Sequence, residues 1–336
     1  MTNPVRRTKT VVRARGLTKT FTRKKQVVEA VKGVDLDVGD GELVAFLGPN
    51  GAGKSTTMRM LTSLLQPTSG TAEVAGFDIR SHPAEVRARI GYIGQGNAGG
   101  FSYRVGDEML NQGRFYSIPS DLARRRSADL LEALELSGLE KRTVASLSGG
   151  QRRRLDVAMG LVNHPPLLFL DEPTTGLDPH ARANLWGHVM RLREQTAMTM
   201  LLTTHYLDEA DAMAERIVLI DHGEVIADAT PAQLKRDHAD DVVTLGLDPA
   251  GDTVGGVLER ARSALAAEVT SAEDHVGDDG IPRLVLRSTH GPELVPPLLR
   301  SLDSAGVVVR SADVKEASLD DVFLNLTGRS LREEAA

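Results

Sequence analysis

The sequence predicts a two-domain α/β chain. A larger domain over residues 1–235 is expected to carry a mostly parallel sheet and a helical subdomain at about 97–163; a small α+β domain is expected over residues 241–336. Three observations predict this. The apolar run Leu43 to Leu47 feeds straight into a glycine-rich loop and then a helical pattern. Strand and helix signals then alternate to about residue 230, the order that builds a parallel sheet. Composition shifts at about 228–241, where Pro231 and a charged, polar stretch suggest a linker, and a β-α-β type of pattern follows. A length of 336 residues is in any case too great for one ordinary core.

In chain order, residues 1–10 read as a frayed arm. Val11–Arg15 and the alternating Val34, Leu36 and Val38 read as half-buried strands. Asp40-Gly41 is a turn leading into the strand Leu43–Leu47. Next comes Gly48-Pro49-Asn50-Gly51-Ala52-Gly53-Lys54-Ser55, with Thr56 after it and a helix presenting Met58, Leu61 and Leu65 on one face. The spacing G-x-x-x-x-G-K-S between a strand and a helix is the phosphate-loop arrangement. Glycines let consecutive N–H groups turn inward around phosphate oxygens, and the helix start adds its positive end. Lys54 supplies a point charge for the outer phosphates, and the Ser55 hydroxyl a ligand for Mg²⁺.

Gln66 to Gly70 is a breaker cluster, with short strands expected at Ala72–Ala75 and Ile90–Ile93. After the glycine-rich stretch 94–100, residues 105–163 look mostly helical. One stripe is Leu130, Leu131 and Leu134; another is Leu155, Ala158, Met159 and Val162. Pro165-Pro166 closes the helical block, and Leu167–Leu170 is apolar on both faces, as a buried parallel strand should be. It runs into Asp171-Glu172 and is expected to lie beside the strand that precedes the phosphate loop. A carboxylate at such a strand end can hold Mg²⁺, and an adjacent glutamate can polarise an attacking water.

Asp178-Pro179 opens a helix as N-cap and first residue, with Leu185, Val189 and Leu192 on its buried face. Met198–Thr203 reads as a buried strand ending near His205, and 217–220 with 225–227 as a hairpin. Beyond the linker the order is strand 242–247, helix 253–266, strands 267–272 and 282–288, helix 292–304 and strand 306–313, a split β-α-β pattern. A last helix, 318–326, has Leu319, Val322, Phe323 and Leu326 on its apolar face and a Ser318/Asp321 capping pair.

Charge and composition exclude several classes. With no cysteine there is neither a disulfide scaffold nor a cysteine-ligated zinc site. No apolar run approaches a membrane span, and the start of the chain lacks a signal-peptide core. Net charge is −6, yet from Arg6 to Lys25 the chain is basic with no acid, which reads as a solvated arm and strand edge. Aromatics make up only 4% of residues and none is interleaved with basic clusters, so a nucleic-acid stacking platform is not expected. The runs Arg124–Arg126 and Arg152–Arg154 read as solvated helical faces, with a brace for the domain as the alternative for the second run.

Leu147-Ser148-Gly149-Gly150-Gln151 resembles the signature peptide of ATP-binding-cassette (ABC) ATPases, and the rest of that family's set follows in the family's order over about residues 15–230. The resemblance implies a P-loop ABC-type nucleotide-binding domain that takes ATP and Mg²⁺. It makes Gln95 the glutamine that senses Mg²⁺ and the γ-phosphate beside a membrane partner. It makes Asp171 the Mg²⁺ carboxylate together with Ser55, Glu172 the catalytic base and His205 the switch histidine at the γ-phosphate. Gly176-Leu177-Asp178 becomes the loop that crosses a dimer interface, and Phe21 the adenine stacker, where the family more often has Tyr. Ser148, Gly149, Gly150 and Gln151 form a second anion-binding helix start. In the family, each nucleotide is sandwiched between the loop of one cassette and the signature of another. A homodimer, or a pairing with a related cassette, is therefore implied.

The end of the chain, Leu319-Asp320-Asp321-Val322-Phe323-Leu324-Asn325-Leu326, resembles the daunorubicin/doxorubicin-resistance type of ABC ATPase. That group implies the motor of an exporter for drugs or other hydrophobic compounds. The motor would work through a separate integral membrane permease, peripheral on the cytoplasmic side of the cell membrane, with the permease contacting the 94–117 region. The tail is expected to stabilise the cassette dimer. The competing expectations are an importer ATPase with a regulatory C-terminal domain, a soluble ABC ATPase acting on ribosomes or DNA, and a nucleotide-binding module without turnover.

Overall fold

A computed structural model of the chain describes residues 9–23, 26–96, 99–249, 251–265, 269–277 and 280–330. The chain divides after Thr230 into two compact units.

The first unit begins with a long antiparallel hairpin, β1 (Thr10–Arg23) and β2 (Gln26–Gly39), followed by β3 (Leu43–Leu47) and α1 (Lys54–Leu61). Then come β4 (Ser69–Val74), β5 (Phe77–Asp78), α2 (Pro83–Arg89) and β6 (Ile90–Ile93). The helical part holds α3 (Val105–Phe115), α4 (Ser120–Ala133) and α5 (Gly149–Leu161). The unit closes with β7 (Leu167–Asp171), α6 (Pro179–Thr196), β8 (Thr199–Thr204), α7 (Leu207–Met213), β9 (Arg216–Asp221) and β10 (Glu224–Ala229).

One sheet has the order β2-β1-β4-β5 and is antiparallel. The other has the order β10-β9-β3-β8-β7-β6 and is parallel apart from its edge strand β10. All five residues of β3 and of β7 are buried, which is why both read as unbroken apolar runs. A single core joins the two sheets: Val12 and Leu36 from the first, Phe46, Phe169, Leu201 and Val218 from the second, and Met58 and Leu61 from α1. The phosphate-loop helix is thus held by strands of both sheets.

Two expectations need correction in this unit. β7 does not lie beside β3, because β8 is inserted between them. The hairpin is also far longer than Val11–Arg15 and 34–38 suggested. Register shifts at Ala14/Leu17, Leu17/Thr18 and Lys19/Thr20 break its alternation, and its outer end is exposed, so the period-2 signal fades there. Of the basic N-terminal stretch, Arg13 and Arg15 pair with Asp37 and Lys19 donates to the Gln66 carbonyl; residues 1–8 and 24–25 lie outside the described residues.

The second unit contains α8 (Pro231–His238), β11 (Asp241–Asp248), α9 (Val254–Ser263), β12 (Ser271–Val276), β13 (Pro282–Ser288), α10 (Gly291–Ser304), β14 (Val308–Lys315) and α11 (Leu319–Thr327). Its antiparallel sheet has the order β12-β13-β11-β14: α9 carries the chain past the place that β13 takes, and α10 carries it back past β11, a split β-α-β arrangement. Leu245, Leu284, Val257, Leu298 and Leu302 pack on one face as its core. The stretch expected to be a linker is mostly helix. α8 is so charged that only Leu234 is buried, and a one-residue apolar face leaves no period to read. The strand expected at 267–272 sits at Ser271–Val276. α11 starts with the expected Ser318/Asp321 capping box and lies against α8, where Asn325 Nδ2 donates to the His238 carbonyl at 2.8 Å. Its Leu319, Val322 and Phe323 are buried and Leu326 is only partly so.

Leu245 is fully buried in the central pair of strands of this sheet. Leu245→Ala is expected to cost about 2–5 kcal/mol through lost burial and the cavity left behind. Equilibrium urea unfolding followed by circular dichroism measures it.

Candidate functional site

The loop after β3 is shaped by what stands behind it. A Cβ on Gly48 would lie 2.0 Å from the Ile220 carbonyl oxygen, and one on Gly53 would lie 2.5 Å from that of Ala30. Gly53 also has φ +105°, a conformation closed to most side chains. Gly223, in the β9–β10 turn, donates its N–H to the Ala52 carbonyl at 3.0 Å and accepts from the Lys32 N–H at 2.8 Å. The loop is therefore backed by the main chain of β2 and of a distant turn. Asn50 and Gly51 are exposed, Ser55 and Thr56 half-buried, and Gly48, Pro49, Ala52 and Gly53 buried.

Lys54 is buried, and its ammonium donates to the carbonyls of Gly48 at 2.7 Å and Pro49 at 2.9 Å. Burial lowers its pKa, opposed by the nearby carboxylates of Glu172 and Asp171.

Asp171, at the end of β7, is wholly buried. Its Oδ1 accepts from Ser55 Oγ at 2.7 Å and from Thr203 Oγ1 at 2.7 Å; its Oδ2 accepts from Tyr92 OH at 3.3 Å. Ser55 in turn accepts from Gln95 Nε2 at 3.0 Å. The register of β7 against β8 sets Asp171 opposite Thr203, so the intervening strand supplies the bridge to the phosphate loop.

Glu172 adopts φ +48°, a strained region for a non-glycine residue. Its N–H donates to the carbonyl and hydroxyl oxygens of Thr203, at 3.1 and 3.0 Å. The carboxylate is 4.0 Å from Lys54 Nζ, accepts from Thr175 Oγ1 at 3.2 Å and stands 3.6 Å from His205 Nδ1. His205, then Lys54 and Thr175, hold it below the usual carboxylate range against the opposing effect of burial. The His205 ring lies tilted at 39° against Tyr206, with ring centroids 4.2 Å apart, and Arg182 covers the Tyr206 ring. Buried Glu209 accepts from Thr174 and Thr204, tying the segment after Glu172 to the end of β8.

The structure thus gathers Lys54, Ser55, Gln95, Asp171, Glu172 and His205. Phe21 is not among them; it stands on β1, 40% exposed, with Lys19 Nζ 5.2 Å from its ring centre. Ser148, Gly149, Gly150, Gln151 and Asp178 form a separate constellation around a cavity of about 400 Å³, with Arg154, Gly176 and Asn184 in its wall. Ser148 and Gln151 form a reciprocal capping box at the start of α5, and Asp178 caps α6 by accepting from the Ala181 N–H at 2.9 Å.

Tyr92, Thr203 and Glu209 have no site role in the sequence reading, and Arg153 enters it only as part of the Arg152–Arg154 run. Aligning the ends of the two apolar strands signals Thr203; the other three carry no local signal. Arg153 also corrects the expectation for Arg152–Arg154, because it is buried. Among the described residues no cluster of three His, Cys, Asp or Glu side chains could cage a metal. The hydroxyl of Ser55, the carboxylate of Asp171 and the amide of Gln95 instead suit a hard cation that keeps water and substrate oxygens, as Mg²⁺ does.

Because Glu172 titrates below its ordinary value, its ionised form adds stability above that value, and the contribution is lost as pH falls through the depressed one. In His205→Ala the carboxyl should titrate higher, followed by carbon-detected NMR of labelled glutamate. An unmoved titration would mean that the ring does not act on Glu172.

Comparison with known proteins accords with this geometry. A family profile for ABC transporters matches residues 31–175. The daunorubicin/doxorubicin resistance ATP-binding protein of Streptomyces peucetius is 41% identical over 89% of this chain and 88% of its own length. The doxorubicin resistance ATP-binding protein of Mycobacterium tuberculosis is 38% identical over 93% of this chain and 92% of its own. Among solved structures, a dimeric ATP-binding cassette in a post-hydrolysis state with ADP and Pi is 26% identical, with a TM-score of 0.60 over 65% of this chain and 98% of that one. This chain belongs to the ABC transporter ATP-binding proteins, among the daunorubicin/doxorubicin-resistance ATPases.

Proposed function

We propose that this ATPase is the motor subunit of an exporter. Two cassettes, identical or closely related, would close on ATP and reopen after hydrolysis, driving efflux of drugs or other hydrophobic compounds through a separate membrane permease. One observation carries the two-cassette reading. The chain has two surfaces suited to phosphate, the Lys54–Glu172 cluster and the capped start of α5, and they line separate sites. The second surface needs a nucleotide held by another subunit.

In this reading the N–H groups of the loop from Gly48 to Ser55 hold the phosphates. The Lys54 ammonium exchanges the carbonyls of its own loop for phosphate oxygens. Ser55 and Asp171, with Gln95, would hold Mg²⁺, which when bound neutralises charge on the outer phosphates. Ionised Glu172 accepts a proton from the water that attacks the γ-phosphorus as the bond to ADP breaks. His205 lies against that carboxylate and reports the γ-phosphate to the end of β8. Phe21 stacks on adenine, its exposed ring being the group available for it.

Export is supported by the resistance named in the curated relatives. Among the described residues no helix is long and apolar enough to cross a membrane, so the path for cargo belongs to a partner. The permease face we assign to Phe101, Tyr103 and Phe115, at 52, 59 and 84% exposure, large apolar groups close in sequence to Gln95. Attachment there would hold the chain peripherally on the cytoplasmic side of the membrane. The second unit we assign to stabilising the cassette pair.

Glu172→Gln should retain ATP and accumulate as an ATP-bound dimer on size exclusion while turnover falls at least about a hundredfold; undiminished phosphate release would refute the role of Glu172. Lys54→Ala should weaken nucleotide binding itself, measured by calorimetry. Phe115→Asp should lower recovery with permease-containing membranes without lowering the ATPase rate of the chain alone.

A further inference from the structure

Arg152, Arg153 and Arg154 are consecutive, yet they do three different things. The Arg152 guanidinium lies 4.9 Å from the ring centre of exposed Phe101, and Arg154 donates to Asn184 beside the signature cavity. Arg153 alone turns inward and is 7% exposed. Its Nε donates to the Pro173 carbonyl at 2.5 Å and its Nη2 to the Glu172 carbonyl at 3.4 Å. Its Nη1 donates to the Gly94 carbonyl at 2.8 Å and reaches that of Gly96 at 3.4 Å. Asp156 Oδ2, one turn along the helix, lies 3.5 Å from the same Nη1 and balances its charge.

These acceptors are not scattered. Gly94 and Gly96 are the two neighbours of Gln95, while Glu172 and Pro173 are the carboxylate residue and its successor. One guanidinium therefore holds the main chain on both sides of Gln95 and the main chain that carries Glu172. These hydrogen bonds end on carbonyl oxygens and not on the Gln95 or Glu172 side chain. The planar, five-donor fork of arginine can serve acceptors on two segments at once; the three-donor ammonium of lysine lacks that span. Arg153 is also about a turn and a half into α5 from its Ser148 cap, so whatever tilts that helix moves the fork.

We propose that Arg153 is a positioning residue. It sets the spacing between the Gln95 and Glu172 segments from the signature helix, and so couples phosphate contact at the start of α5 to the hydrolytic geometry of the same chain. This rests on the roles proposed above for Gln95 and Glu172. A brace that merely held the fold together would affect stability; a spacing device affects turnover through Gln95.

The test uses the full chain with Arg153→Lys and Arg153→Gln, each alone and combined with Gln95→Ala. ATP turnover, the dissociation constant of a fluorescent ATP analogue and the melting midpoint are read together. Both variants should lower kcat about ten- to a hundredfold, since a misplacement of about 1 Å can cost that much, and leave the dissociation constant within about twofold. In the Gln95→Ala background the further loss should be under about twofold, the non-additivity expected of residues acting through one segment. Equal losses in both backgrounds, an unchanged kcat, or loss of the fold in both variants would overturn the proposal. Gln95→Ala and Glu172→Gln measured singly keep the two readings apart: if neither lowers turnover, the site assignment itself fails, whatever Arg153 does.

Discussion

A fully buried carboxylate organises the centre of this protein. Asp171 has no water to solvate it, so its charge must be met by donors. Ser55 brings the phosphate-loop helix, Thr203 the strand between, and Tyr92 the strand beyond. Removing any of these donors would leave an ion partly unsatisfied in a region of low dielectric. The parallel sheet is consequently anchored at the end that carries the candidate site. The α/β fold needs helices on both faces of such a sheet, and the antiparallel β1–β2–β4–β5 layer shares its core with α1 to cover one of them.

Much of this was legible in residue order, and the reasons differ from element to element. β3 and β7 announce themselves because burial on both faces leaves no polar interruption. The phosphate loop is legible because its glycines answer to geometry that no other residue can adopt. α5 and α11 are legible from their caps, a property of four consecutive residues. Sheet order was less accessible. That β8 separates β7 from β3 follows from how crossovers pack, and both strands are equally apolar. α8 was invisible because a short charged helix with one buried residue has no period.

Within the site, the difference between what was visible and what was not follows the type of contact. Most of the residues proposed to touch a ligand sit in compact motifs, the loop from Gly48 to Ser55 and the start of α5 above all, and could be named. Residues that hold them in place bond to main-chain atoms or to partners far along the chain: Thr203 to Asp171 is 32 residues away, and Arg153 to Gly94 is 59. Arginine is an instructive case. Composition treats three in a row as one charged patch, whereas the 100° step between helical neighbours sends the middle one into the interior.

The turn at Gly223 has a wider meaning. Its main chain is the rear wall of the phosphate loop: the Ala30 carbonyl sits 3.0 Å from where a Cβ on Gly223 would be, and the Ile220 carbonyl blocks any side chain at Gly48. Neither Ala30 nor Ile220 lies within the loop sequence that its carbonyl shapes. Evolutionary tolerance here should accordingly follow proximity to the back of the loop rather than proximity to substrate. A change in the backbone of the β9–β10 turn is therefore a change in the phosphate loop, even where the loop's own sequence is kept.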